Sequence, residues 1–226
     1  MSDARRTVEV IWRIESPRLI ASLTRLVRDV GLAEELAQDA FVAALEQWPD
    51  TGVPDKPGAW LMVTARHRAI DLIRREQNRD AKYAVLAHGL TDEAPADRIV
   101  DEPIGDDLLT LVFLTCHPVL PRESRIALTL RLFGGLTTDE IARAYLVPSP
   151  TIGQRISRAK RTLAEAQVPF EVPQADAMPA RLGSVLEVVY LIFTEGHAAT
   201  SGSTWVRRDL AEEAMRLGRV LAGLLP

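Results

Sequence analysis

The sequence predicts an all-α protein, and three features carry that reading. Apolar residues recur at helical spacing along most of the 226 residues. Helix-start signals head several of those runs: Ser16-Pro17, Thr137 with Glu140, and Ser149-Pro150. No pair of alternating apolar stretches suggests a strand hairpin, and no internal repeat or low-complexity tract interrupts the pattern. The length implies two or three compact units.

Ser16 and Pro17 read as an N-cap and first helical position for a run from Leu19 to Val30, with Gly31 as its punctuation. A second run, Leu32 to Trp48, places Leu36, Ala40, Phe41, Ala44 and Leu45 at helical spacing. Pro49 to Gly58 is rich in Pro and Gly and reads as a loop. Pro57 opens a long helix through Trp60, Leu61, Val63, Ile70 and Ile73 that ends in Arg74-Arg75. Residues 87–105 are acidic, punctuated by Gly and Pro, and read as a linker. Helices follow near Asp106–Cys116 and Pro121–Phe133, then two short ones from Thr137 and from Ser149. Pro169 and Pro173 break the pattern before two last helices, near Pro179–Glu195 and Trp205–Leu225, joined by a loop from Gly196 to Ser203.

Composition excludes several classes. A hydrophobic fraction of 47% with 26% charged residues is ordinary for a folded chain. No apolar run reaches the roughly 18–20 residues of a membrane span, and the closely spaced charges of the first 30 residues leave no signal-peptide core. The single cysteine, Cys116, fits a reducing compartment, so a cytoplasmic location without membrane association is expected. Cys116-His117 does not make a metal site, since His67, His88, His117 and His197 are scattered, and Cys116 reads as a small core residue. Glu195-Gly196-His197 lacks a nucleophile motif or phosphate-binding glycines, and Ser201-Gly202-Ser203 reads as a turn. No enzyme, cofactor or metal is expected.

The net charge is -4, yet it is unevenly spread. Trp60 to Lys82 holds six basic residues against three acids, whereas Thr91 to Asp107 holds seven acids and Arg98. The most cationic helix starts at Ser149, carrying Arg155, Arg158, Lys160 and Arg161 against Glu165. Thr137 and Glu140 form a capping-box signature, Ile141, Ala142 and Tyr145 an apolar face, and Leu146-Val147 a tight turn. Two short helices with the cations on the second have the shape that enters a DNA major groove. Gln154 and Arg155 suit adenine and guanine edges. Ser149, Thr151 and Arg158 share the first turns of that helix with them, while Lys160 and Arg161 suit phosphates. Gly153 costs about 1 kcal/mol relative to Ala inside a helix and removes one contact.

The order AEELAQDAFVAALEQW, PGAWLMVTARHRAIDLIRR, an acidic linker and TTDEIARAYLVPSPTIGQRISRAKRT resembles the two domains of extracytoplasmic-function (ECF) RNA polymerase sigma factors across residues 10 to 166. The resemblance implies sigma domain 2 in 1–86, the linker in 87–105, sigma domain 4 in 106–168 and a C-terminal helical extension in 169–226. The tail RLGSVLEVVYLIFTEGHAATSG is similar to the start of an extension that, in one subgroup, continues into helical repeats. This chain is therefore expected to be a truncated or short member. Implied partners are core RNA polymerase and promoter DNA. Glu34, Glu35, Gln38 and Asp39 would meet the polymerase clamp helices. Pro54, Asp55 and Lys56 would rim a pocket for a flipped minus-ten base, with Arg66, Arg68, Arg74 and Arg75 on phosphates. His67, where the family often has Asn, stands as a phosphate contact, a base contact or a solvated residue. Trp60, beside Leu61 on an apolar stripe, reads as core rather than as a stacking platform. Ser149, Thr151, Gln154, Arg155, Arg158, Lys160 and Arg161 would engage the minus-thirty-five duplex, with a specificity altered at Gly153. The linker would thread toward the polymerase's cationic RNA exit path.

Val185, Leu186, Val188, Val189, Leu191 and Ile192 are too apolar for a solvated helix. The extension therefore packs on the sigma domains or on its own continuation, and a regulatory contact with the sigma domains or core is expected. Two rivals remain at this stage: a helix-turn-helix repressor or activator acting on duplex DNA without polymerase, and an adaptor that binds polymerase without reading DNA. The loop-plus-arginine helix disfavours the first, and Arg155 with Arg158 the second.

Overall fold

The computed structural model describes residues 3–87, 104–197 and 205–224, and among them every regular element is an α-helix. Three helices form a first bundle: α1 (Asp3–Val27), α2 (Val30–Thr51) and α3 (Pro57–Ala87). Leu19, Ile20 and Leu23 of α1 are buried with Ala33, Leu36, Ala37, Ala40 and Phe41 of α2 and Leu61, Ala65 and Ala69 of α3. The alanines let the helix axes approach closely, while Phe41 and Trp48 fill the wider gaps.

The first helix starts far upstream of its expected beginning, and Pro17 lies inside it. Proline removes one ladder hydrogen bond. Packing offsets that loss, because Trp12, one turn before the break, sets its ring edge-on to Phe41 at 4.2 Å. The break between α1 and α2 also falls earlier than Gly31. Arg28 adopts φ 56, and Asp29 takes extended backbone and accepts a 2.8 Å hydrogen bond from the Leu32 amide. Gly31 instead sits in the first turn of α2. A Cβ there would crowd the Asp29 cap, 3.0 Å from its Oδ1, and would meet Lys160 Cδ at an ordinary 3.5 Å. Pro49 is likewise inside α2, which shortens the expected loop to residues 52–56; Pro57 begins α3 as the sequence indicates.

The second bundle contains α4 (Ile104–Thr115), α5 (Arg122–Leu132), α6 (Thr138–Ala144) and α7 (Ser149–Glu165). Its core includes Leu111, Phe113, Leu128, Leu130, Leu132, Phe133 and Ile141. Cys116 is buried at the end of α4, its Sγ 3.5 Å from Thr129 Oγ1, and burial pushes the thiol up. The capping box of α6 is complete: the Glu140 amide donates to Thr137 Oγ1 at 3.2 Å, and the Thr137 amide donates to Glu140 Oε2 at 2.7 Å. The N-cap of α7 is Pro148 rather than Ser149, whose hydroxyl donates to Asp139 on α6.

The last two helices, α8 (Met178–His197) and α9 (Trp205–Leu224), pack on each other and on α4, α5 and α6. Gly196 and His197 thus extend α8 beyond Glu195 rather than opening a loop. Val185, Val188 and Ile192 are buried, and Val189 and Leu191 half-buried, whereas Leu186 stays exposed. Most of the expected linker and Ser201-Gly202-Ser203 lie outside the described residues. No described helix is long and apolar enough to cross a membrane.

Thr137→Ala is expected to cost about 1 kcal/mol through loss of the cap, read as a lower urea midpoint with an unchanged slope; Thr137→Ser should retain most of the wild-type stability.

Candidate nucleic-acid interface

Helix α7 is amphipathic, with its arginines gathered on the solvent side. Ile152, Ile156, Ala159 and Leu163 form a buried stripe that fastens it to α5 and α6, and the opposite face holds Gln154, Arg158 and Arg161 in solvent. Thr151 and Arg155 flank that face, half-buried. Leu146 takes φ 52 in the turn, which lets the second helix restart. A Cβ at Gly153 would meet only Thr138 Cγ2, at 3.9 Å, so packing does not require the glycine. Arg161 lies 3.6 Å from Glu165, and both side chains are highly exposed, so solvent screens the pair.

Lys160 departs from the expected arrangement. It points away from the Arg158 and Arg161 side, and its Nζ lies 2.5 Å from Glu34 Oε2 on α2 of the first bundle. The approach falls outside hydrogen-bond angles, so the contact is an ion pair. Glu34 Oε1 accepts hydrogen bonds from Arg131 Nε of α5 and from Gln38 Nε2, each at 2.7 Å. The Glu34 side chain is 3% exposed, and those of Arg131 and Lys160 are 21% and 22%. Burial alone would raise the Glu34 carboxyl. The charges of Lys160 and Arg131, with the hydrogen bond from Arg131, outweigh burial and hold it below its ordinary 4.5.

The expected polymerase-facing set is therefore divided. Glu34 is enclosed between the bundles and Gln38 donates to it, while Glu35 and Asp39 remain exposed. Nothing in local periodicity announced Arg131 as a partner of Glu34. A signal did exist: Glu34 falls on the helical stripe of Val30, Ala37 and Phe41, where an apolar residue is the norm.

The expected minus-ten set occupies the loop 52–56 and α3. Pro54 is half-buried, and Asp55 and Lys56 are exposed. Arg66 donates to Ser22 Oγ of α1 at 3.3 Å, and Arg68 lies 3.6 Å from Asp39 of α2, so both arginines lean on neighbouring helices. His67, Arg74 and Arg75 are exposed on α3. Trp60 packs against Trp48 with ring centroids 5.4 Å apart, a core role. Among the described residues no group of three or more His, Cys, Asp or Glu is placed to hold a metal ion.

The second bundle is also tied to other parts. Arg25 of α1 pairs with Asp107, and Arg13 lies 3.2 Å from Glu140. From the extension, Glu187 accepts from Arg122 Nε at 2.9 Å and pairs with Arg125 at 3.2 Å. Arg181 donates to the Phe113 carbonyl at 2.7 Å, and Arg216 to the Phe133 carbonyl at 2.6 Å. His117, beside Arg181, has its pKa lowered to about 4 by burial and that charge.

Comparison with known proteins agrees with this arrangement. Residues 11–79 match Sigma-70 region 2, residues 110–163 match Sigma-70 region 4, and residues 181–226 match a family of unknown function (DUF6596). The chain is 30% identical over 153 residues to the ECF RNA polymerase sigma factor SigK of Mycobacterium ulcerans, covering 65% of this chain and 78% of that one. SigK of Mycobacterium tuberculosis is 31% identical over 154 residues, with the same shares covered. An uncharacterised protein of Rhizobium meliloti is 41% identical over 213 residues, or 93% of this chain. The chain spans 50% of the length of that relative. No solved structure matches. The chain belongs to the ECF RNA polymerase sigma factor family. Regions 2 and 4 together set aside an independent helix-turn-helix repressor.

A carboxyl held below its ordinary value contributes stability above pH 4.5 that is lost as pH falls through the lowered value. The contact between α2 and α5–α7 should therefore persist at neutral pH and loosen in acid. Small-angle X-ray scattering is expected to show the wild-type radius of gyration rising below pH 4.5, with Glu34→Gln already larger at pH 7 and changing less. Parallel pH curves for the two proteins would contradict this.

Proposed function

We propose that this protein directs bacterial core RNA polymerase to specific promoters and opens them, acting in the cytoplasm without catalysing a reaction itself. The first bundle is the polymerase and minus-ten element. Glu35 and Asp39 on the exposed side of α2, joined by Glu34 and Gln38 once these are released, offer carboxylates and an amide to cations on a polymerase helix. Opening a promoter requires unstacked bases to be held on one strand. Pro54, Asp55 and Lys56 would rim the base pocket, and Arg66, His67, Arg68, Arg74 and Arg75 would track the backbone.

The second bundle is the minus-thirty-five element. The observation that carries the reading is α7, an apolar stripe on one side and Gln154, Arg158 and Arg161 on the other, in the same chain as the loop-helix unit of region 2. Ser149, Thr151, Gln154, Arg155 and Arg158 face the duplex as readers, and Lys160 and Arg161 as phosphate ligands. The extension 169–226 braces the second bundle through Glu187, Arg181 and Arg216, which supports a regulatory role in which its docking sets promoter activity.

Transcription with purified core polymerase and a pool of promoter fragments tests this reading. Initiation at selected promoters should appear only when the chain is added, and replacing both Arg155 and Arg158 by Ala should lower it about tenfold or more. Tight duplex binding by the chain alone, with no core-dependent initiation, would contradict it.

A further inference from the structure

We propose that Glu34, Arg131 and Lys160 form a latch that holds the free chain closed, and that polymerase and promoter DNA open it by competing for the same groups. The inference rests on the sigma reading above and adds its regulation. Glu34 sits among the residues assigned to polymerase cations, and here Arg131 and Lys160 fill the place of those cations. Lys160 is assigned to a DNA phosphate, and here the Glu34 carboxylate fills the place of that phosphate. Each group thus satisfies the other's external requirement within the chain.

Distance makes the closed state incompatible with promoter engagement. Minus-ten and minus-thirty-five elements are about 25 base pairs apart, on the order of 85 Å of duplex at 3.4 Å per step. The helix α7, with 17 residues, is about 26 Å long, and it is in direct contact with α2. The bundles must part before one reads each element.

The latch differs from the other ion pairs between the bundles in the cover over its cations. Arg13 and Arg25 are exposed beside a half-buried Glu140 and a buried Asp107, whereas Arg131 and Lys160 are largely enclosed together with Glu34. Enclosure makes the contact all-or-none. Removing either cation strands a carboxylate away from water, so the closed state becomes less populated while the contacts of α1 with α4 still allow it to form.

A covalent lock tests this directly. A Cβ at position 31 would lie 3.9 Å from Lys160 Cβ, within the range a disulfide spans, at the cost of a small shift of the Asp29 carboxylate. Cys116 is buried and outside the exchange. In the full chain carrying Gly31→Cys and Lys160→Cys, mild oxidation should form the cross-link. The oxidised form should then lose core-dependent initiation at least about tenfold relative to the same protein after reduction. Equal initiation by the oxidised and reduced forms overturns the latch while leaving the sigma reading intact. Absence of initiation by the wild-type chain overturns the sigma reading and the latch with it.

A second variant guards against a damaged fold. Arg131 has no assigned polymerase or DNA contact, and Arg131→Gln removes a positive charge. Charge alone predicts weaker binding of the isolated chain to mixed-sequence duplex at low salt. The latch predicts binding tighter by about threefold or more, because Lys160 is released, with Arg131→Lys returning to the wild-type value. Unchanged or weaker binding by a folded Arg131→Gln protein overturns the proposal.

Discussion

The buried carboxylate of Glu34 ties the first bundle to two helices of the second. Glu34 stands on α2 where helical spacing calls for an apolar residue, and it is 3% exposed at the side chain. An ionised carboxylate in that position loses several kcal/mol of hydration. Two cations from the second bundle and one amide from its own helix replace the lost water. The contact exists only while α2, α5 and α7 meet, so the ionisation of Glu34 and the closure of the chain are one equilibrium. Gly31 lies beside the same contact, where a Cβ would touch Lys160 at ordinary van der Waals distance.

The extension enters the same assembly from the other side. Its apolar residues Val185, Val188 and Ile192 are buried, and its charged residues reach carbonyl oxygens at the ends of α4 and α5. Those carbonyls lack partners within their own helices, and arginine supplies both a hydrogen bond and a favourable charge there. The second bundle is thus held by α1 and α2 on one flank and by α8 and α9 on another, while the outward side of α7 carrying Gln154, Arg158 and Arg161 remains in solvent. Exposure of this surface and restraint of the helix that bears it coexist.

Local signals in the sequence were decisive where the structure is locally determined. The capping box at Thr137, the turn at Leu146 and the start of α3 at Pro57 depend on a few consecutive residues, and they fall where the sequence places them. Pro17 and Gly31 mislead for one reason: both carry backbone signals that distant packing overrides. Trp12 against Phe41 holds a helix through the proline, and the Asp29 cap crowds the position of the glycine inside α2. The candidate surfaces divide the same way. Helical spacing separates the core of α7 from its solvent face, so Gln154, Arg158 and Arg161 could be read in advance. Which of Glu34, Glu35 and Asp39 is enclosed depends on Arg131, 97 residues away in the chain. Only the stripe formed with Val30, Ala37 and Phe41 marks Glu34 as the inward one.

The central claim is that the two bundles touch in the free protein and separate in the working complex. The separation between α2 and α7 tests it most directly, measured by paired spin labels at Glu46 and Glu165, both exposed, on the chain alone and bound to core polymerase with promoter DNA. The account predicts one short distance in the free chain and an increase on the order of tens of ångströms in the complex. A distance that stays the same in both states would contradict it.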